Sequence, residues 1–593
     1  MRKAALIALL PTFPWQKCGL PAKRNITMLR KIRIIVAAAV FACITLLFLD
    51  FTGAAHKWLS FLASLQAFEA VLAVNFAVIV LLAVVTFLFG RVYCSVICPL
   101  GIMQDIIDHF GSKRHKTRFS YRKANNWLRY GFLAATVLLL VLGLASIASL
   151  VAPYATFGRI ATELLAPVYN LGNNLLAHIS GRAGSYAFYP ASVWMKSLPT
   201  FIAALVALVV LAFLARRNGR IWCNTVCPVG TVLGFISRYS VFRHKIDTSK
   251  CTNCGICARK CKSSCINPEN HTIDGSRCVA CFNCIDACSQ NAISYSCTWK
   301  GCCSKDKTAC DAGAAAAKES AKAAAEATAE VAAEATAAAK TADAQAPAPV
   351  TEAPVSEAPV TEAPVAEATA AETAETAETA EATESNTADT SRRAFMTGGL
   401  LAAASLTLGA QKRDVDGGLA ILEEKKIPRR NTPVKPAGSQ SLAHFGKKCV
   451  ACQLCVTKCP SGVLRPSTSL QNFMQPEMGF EKGFCRTSCT TCSQVCPAGA
   501  IGRISVEEKS SIRIGHAVTV PENCLPNTKG VKCGNCERHC PTGAIVMVDN
   551  GNGGTMPAVD TQKCIGCGSC EYHCPARPFS AIYVEGHLVH SQL

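Results

Sequence analysis

The chain has 593 residues, is 50% hydrophobic by composition, carries a formal net charge of +20 and contains 35 cysteines. That length excludes a small secreted disulfide scaffold, and the apolar fraction calls for a membrane portion. The charge does not make nucleic acid a partner, because the tally treats the cysteines as neutral and much of the basic excess lies beside the apolar runs.

In chain order, MRKAALIALLP opens like a signal peptide, but Pro11 interrupts it and no small-residue cleavage site precedes Lys23 and Arg24. Residues 1–32 therefore read as a cytoplasmic leader, with Met28 as an alternative start. Residues 33–245 read as a four-span α-helical membrane domain, with apolar runs near 33–52, 68–89, 131–152 and 199–215. Lys and Arg gather before the first run and between the second and third, which places the N-terminus and the segments after runs two and four in the cytoplasm. GRVYCSVICPLG at 90–101 and GRIWCNTVCPVG at 219–230 share six of twelve residues, so the domain reads as two repeated hairpins, each ending in a C-x3-C-P motif.

Residues 246–300 read as a two-cluster ferredoxin domain of α+β type. Residues 301–390, rich in Ala, Glu, Thr and Pro, read as a disordered linker. Residues 391–411 begin SRRAFM, where Arg392 and Arg393 resemble a twin-arginine export signal that would either be cleaved or remain as an anchor. Residues 412–593 read as a four-cluster ferredoxin-like domain.

The chemistry lies in the cysteine spacing. Cys251, Cys254, Cys257 and Cys261, then Cys278, Cys281, Cys284 and Cys288, form two C-x2-C-x2-C-x3-C runs. In such pairs the last cysteine of each run serves the other cluster, giving Cys288 to the first and Cys261 to the second. The proline usual after the fourth cysteine is replaced by Lys262 and Ser289. Four further runs follow: Cys449, Cys452, Cys455, Cys459; Cys485, Cys489, Cys492, Cys496; Cys524, Cys533, Cys536, Cys540; and Cys564, Cys567, Cys570, Cys574, each ending in proline. Three-plus-one quartets in this number fit 4Fe-4S cubanes rather than structural zinc.

Cys94, Cys98, Cys223 and Cys227 of the repeated motif lie at i, i+4 spacing. If each motif continues its span as a helical turn, the two thiols share a face, making the four candidates for a seventh cluster or metal site; a docking surface or structural thiol pairs are the alternatives. Cys265, Cys297, Cys302, Cys303 and Cys310 receive no role, and Cys18 and Cys43 read as incidental. Glu69, Asn75, Glu163 and Asn170 could take protons or hold a quinone headgroup, although exposed loop or helix-end groups are the plainer reading. No nucleophile-base pair, P-loop, GxGxxG or haem motif is present.

On these motifs the first 300 residues resemble the NapH/MauN-type membrane ferredoxins, and residues 391–593 are similar to the NapG-type four-cluster (polyferredoxin) proteins. The resemblance implies a quinol dehydrogenase component in the bacterial inner (cytoplasmic) membrane. The first ferredoxin domain would be cytoplasmic and the last periplasmic. Electrons from the quinone pool would pass along 4Fe-4S clusters to a separate terminal reductase or electron-carrier protein, with membrane lipid as the other partner and no terminal reductase chemistry in this chain. In four-cluster proteins of that type the first run commonly pairs with the fourth and the second with the third, but this sequence leaves the pairing open. The competing expectation is a maturation or redox-sensing factor for a partner metalloenzyme.

Overall fold

The computed structural model describes residues 23–298 and 423–592, apart from short stretches at 51–52, 113–118, 183, 185–187, 192, 194–196 and 552–553. The linker, the Arg392–Arg393 segment and Cys18, Cys302, Cys303 and Cys310 lie outside the described residues.

Helix α1 (Lys23–Leu49) follows from an aliphatic run behind Arg30, Lys31 and Arg33, and ends where the Asp50 carboxylate accepts from the backbone N–H groups of Gly53 (3.1 Å) and Ala55 (2.9 Å). These bonds start α2 (Ala54–Ser64), which leads to α3 (Ala67–Leu72) and α4 (Phe76–Phe89). The expected second span, 68–89, is thus two helices. Asn75 caps α4 by accepting from Val78 N–H (3.4 Å), and Val74 takes φ 54° in the turn between them. A short amide side chain competing for helix N–H groups is what an apolar window overlooks.

The third expected span, 131–152, is broken as well. After α5 (Tyr93–Val96) and α6 (Pro99–Ser112), helix α7 starts early at Asn126 and stops at Val141. Asn125 caps its start, and Gly143, at φ 79°, closes its end in the left-handed turn that glycine permits. Two short helices follow, α8 (Ala145–Ala148) and α9 (Pro153–Ile160), then a π-helical turn (Ala161–Leu165) and α10 (Ala166–Arg182). Among the described residues two helices, not four, are long and apolar enough to cross a membrane: Met28–Leu49 within α1, and α11 (Leu198–Asn218).

The internal repeat is realised in geometry. Both α4 and α11 end at a positive-φ glycine, Gly90 and Gly219. Each is followed by a short cysteine-bearing helix, α5 or α12 (Ile221–Thr225), and then by a helix opening on proline, α6 or α13 (Pro228–Ser237). The glycine turns the chain, so neither motif continues its span as a helix.

Beyond α13, strand Phe242–Ile246 pairs antiparallel with Ile293–Cys297 around the first ferredoxin unit. In the C-terminal module, Ile512–Thr519 pairs with Ile582–Gln592, and Ile545–Asp549 with Thr555–Val559. The two ferredoxin regions touch opposite ends of α1, which is about 40 Å long at its helical rise. Arg30 near the start pairs with Asp286, and Asp50 just past the end pairs with Lys458 (3.0 Å). The breaks in the second and third runs lie under the C-terminal module: Gly499 faces Ala73, and Lys447 reaches Gly143.

Candidate iron-sulfur centres

In the first ferredoxin region, Cys278, Cys281 and Cys284 gather with Cys261, and Cys251, Cys254 and Cys257 gather around the other loop. Cys288, fourth in its run, accepts from Ala292 N–H (3.3 Å). Sequence reasoning passed over Cys265, whose sulfur is buried 3.5 Å from that of Cys261. It lies four residues beyond a ligand candidate, but only the turn at Ser264 brings it back. The missing proline also has a reason. Lys262 replaces it and bonds the carboxylates of Asp108 (2.9 Å) and Asp105 (3.4 Å), while its carbonyl accepts from Arg220 N–H (2.8 Å).

Asp105 on α6 is the hub of that dock, facing Arg220 (2.7 Å), Arg33 (3.3 Å) and Lys262. Burial alone would raise its carboxyl, but the surrounding cations hold it well below the usual carboxylate range.

In the C-terminal module the cysteines gather in a pairing that the sequence left open. Cys496 gathers with Cys449, Cys452 and Cys455, and a cavity is lined by Cys485, Cys489, Cys492 and Cys459. A second cavity is lined by Cys524, Cys533, Cys536 and Cys574, and Cys564, Cys567 and Cys570 gather with Cys540. The first run therefore exchanges its last cysteine with the second, and the third with the fourth. Spacing along the chain carries no information on this; the packing of helix Leu454–Lys458 on Thr491–Val495, and of Asn535–Arg538 on Ser569–His573, decides it.

Five of these gatherings present a three-plus-one thiol set, the donor arrangement a cubane takes. Backbone N–H groups face the fourth sulfurs: Ile501 on Cys496 (3.5 Å), Ala544 on Cys540 (3.3 Å) and Ala581 on Cys574 (3.3 Å). Such bonds tune a cluster's potential. Among the described residues no three His, Cys, Asp or Glu side chains close around one ion-sized point. Burial pushes the thiols of Cys449, Cys492 and Cys567 up to about 12, so these sites hold neutral thiols until iron displaces the protons.

A linear order follows from contacts between loops. Cys485 N–H bonds the Cys567 carbonyl (3.0 Å), joining the second gathering to the fourth. The first faces the helical bundle, where a Cβ on Gly158 of α9 would come within 2.5 Å of the Cys452 carbonyl. Beneath it lies Glu69, expected to be exposed but fully buried, with no hydrogen-bond partner for either carboxylate oxygen; the Tyr154 hydroxyl is likewise buried and unpartnered. Glu69 is within charge-interaction range of Tyr154 and Cys452. Asn75 is a helix cap, and Glu163 is buried.

Comparison with known proteins came to the same chemistry. A family model described as "4Fe-4S binding domain" matches residues 71–118 and 198–249, the two repeats, and one described as "4Fe-4S dicluster domain" matches 448–500 and 529–577. Methylamine utilization ferredoxin-type protein MauN of Paracoccus denitrificans is 29% identical over 175 residues, 29% of this chain and 48% of that protein. Ferredoxin-type protein NapG of Escherichia coli is 31% identical over 159 residues, 25% of this chain and 63% of that protein. MauM of Methylorubrum extorquens is 33% identical over 194 residues, 29% of this chain and 80% of that protein. The chain thus spans about half to two thirds of the length of the first two relatives. No solved structure matches it.

Proposed function

Because the chain belongs to the ferredoxin-type 4Fe-4S proteins typified by MauN, NapG and MauM, we propose that it takes electrons from a membrane quinol and delivers them through six 4Fe-4S clusters to a separate reductase or carrier protein. The five quartets gathered above are proposed ligands, 278/281/284/261, 449/452/455/496, 485/489/492/459, 524/533/536/574 and 564/567/570/540, and the run spacing adds 251/254/257/288 as the sixth. When bound, each cluster supplies a one-electron acceptor and donor at nearly fixed geometry.

The observation that carries the reading is Glu69. A carboxylate without a partner in a dry interior costs several kcal/mol, and intramembrane ionisable groups mark proton or substrate pathways. Here it stands at the break between α3 and α4, beside Tyr154 and the Cys452 loop. A quinol oxidised at this point gives up two protons and two electrons. Glu69 would take the two protons in turn, passing the first to solvent before it accepts the second, Tyr154 would orient the headgroup oxygen, and the two electrons would leave one at a time by the adjoining quartet. If α1 crosses the membrane, its basic start supports a cytoplasmic first ferredoxin and a periplasmic C-terminal module.

The test is anaerobic mixing of the cluster-loaded full chain with a short-chain quinol, followed by absorbance and EPR, with the Glu69→Gln variant beside it. Bleaching that reaches the C-terminal clusters, at least tenfold slower in the variant at equal iron content, is expected. Reduction by dithionite but not by quinol would overturn the reading in favour of a maturation or sensing role.

A further inference from the structure

The repeated C-x3-C-P motifs play no part in this path, yet the fold builds a site from them. Cys94, Cys98, Cys223 and Cys227 are each 4% exposed, and all four lie within charge range of one another. N–H groups face three of the sulfurs: Arg91 toward Cys94 (3.7 Å), Gln104 toward Cys223 (3.4 Å) and Gly230 N–H toward Cys227 (3.4 Å). The repeats lock across each other, for Arg91 donates to the Cys223 carbonyl (2.9 Å) and Arg220 to the Cys94 carbonyl. Glycine is required at Gly101 and Gly230, where a Cβ would meet those same two carbonyls at 2.3 and 2.0 Å.

Arg220 has Asp105 as its counter-charge, but among the described residues no carboxylate pairs with Arg91. It is fully buried, it also donates to the neutral Asn224 Oδ1 (2.7 Å) and the Ser276 carbonyl (3.1 Å), and its Nε has no partner among the described residues. A buried guanidinium without an anion is costly enough to demand one nearby. Three of the four thiols, Cys94, Cys223 and Cys227, are what Arg91 faces. The arrangement has a parallel within the molecule: Arg159, also fully buried and bonded, among the described residues, to the neutral Ser149 (3.0 and 3.2 Å) and Thr156 (3.3 Å), lies in charge range of Cys452 in a ferredoxin-type quartet.

We propose that Cys94, Cys98, Cys223 and Cys227 together ligate a seventh, iron-sulfur centre, with Arg91 as its buried counter-cation. An iron-sulfur cluster fits better than a single ion because these four thiols, like the ferredoxin quartets, do not close around one ion-sized point. Its position gives it a role. On one side Arg91 and Asn224 bond the carbonyls of Ser276 and Ser263 (3.4 Å), each two residues from a first-ferredoxin ligand, Cys278 or Cys261. On the other, Tyr93, next to Cys94, bonds Gln66 (3.0 Å), three residues from Glu69. The centre therefore joins the cytoplasmic ferredoxin to the quinol position, a role that rests on the reading above, whereas the site itself does not. Passing an electron here needs no bond or proton: one neighbour is oxidised by one electron and the other reduced by one.

The test counts iron and acid-labile sulfide in the anaerobically purified full chain, beside the Cys94→Ser/Cys223→Ser and Arg91→Gln variants. Six cubanes account for about 24 iron atoms. Two to four more, lost with an additional EPR signal in the double cysteine variant, are expected. The Arg91→Gln variant should lower that signal's midpoint potential and leave the other signals in place. As a check independent of folding in the variants, Cys94, Cys98, Cys223 and Cys227 of the holoprotein should resist alkylation until iron is chelated. Iron at about 24 with these four thiols alkylated in the holoprotein, or stoichiometric zinc instead, would overturn the proposal. Failure of quinol reduction would leave the iron count untouched, so the two readings fail separately.

Discussion

The two ends of α1 are docked by different physics. At its start the first ferredoxin is held by a charged cluster in which Asp105 serves Arg33, Arg220 and Lys262, with Asp108 and the Arg30–Asp286 pair at its margin. At its end the C-terminal module is pressed into the bundle through backbone contact and apolar packing, with Phe48, Tyr154 and Phe157 in one core with Val450 and Leu454 and a single ion pair, Asp50–Lys458, inside it. Charges that share partners tolerate adjustment, whereas close packing of backbone on backbone does not. The end that lies against Glu69 is the rigid one.

Gly158 is where that rigidity is most exposed to test. In Gly158→Val the new side chain would overlap the Cys452 carbonyl and the Phe48 ring, at 2.5 and 3.0 Å from the Cβ alone. The module must shift or detach, at a cost of about 3 kcal/mol or more. The expected result is a large drop in quinol reduction of the C-terminal clusters with dithionite reduction intact. Unchanged quinol kinetics would show that the contact is dispensable.

Lys458→Met comes next. It removes the cation from an almost fully buried pair and leaves Asp50 without it, which typically costs about 3–5 kcal/mol. Part is recovered here because Asp50 keeps its bonds to Gly53 and Ala55. Thermal unfolding in detergent should fall by several degrees, and restoring the pair's neutrality with Asp50→Asn should recover part of the loss.

At the charged end, Asp105→Asn strips three cations of a shared anion and should loosen the first ferredoxin by about 2 kcal/mol. Asp105 is held below its ordinary range when folded, so its stabilisation is present above about pH 4 and is lost as pH falls through the lower folded value. Protease sensitivity of the first ferredoxin region should therefore rise at strongly acidic pH in the parent chain and lose that dependence in the variant. An equal acid response in both would assign it to other carboxylates.

How far the sequence foretold this arrangement depends on what each feature is made of. Cysteine quartets and the GRxxC repeat are local patterns, and the fold preserves them: Gly90 and Gly219 make the same turn, and Cys98 and Cys227 bond back five residues in the same way, to Tyr93 and Trp222. The broken spans were less legible because apolar residues outnumber Asn75 and Gly143 in any window long enough to cross a bilayer. Exchange between C-terminal runs, the return of Cys265 to Cys261 and the burial of Glu69 depend on contacts between segments far apart in the chain or on a turn that spacing does not encode. Lys262 was visible as a departure from the ferredoxin pattern; its docking partners on α6 were not.

The smallest expected effect is at the margin of the charged dock. Arg30 and Asp286 are about one third exposed, so water screens their attraction and ordering the side chains offsets part of it. Arg30→Ala should cost under about 1 kcal/mol, and the loss should vanish at high salt, where the Debye length shrinks to about 3 Å. The Asp105 hub, at 15% exposure, should keep most of its contribution under the same conditions. If Arg30→Ala instead released the first ferredoxin as readily as Asp105→Asn, the hub would not be what holds this end, and the contrast between the two ends of α1 would reduce to one of surface charge.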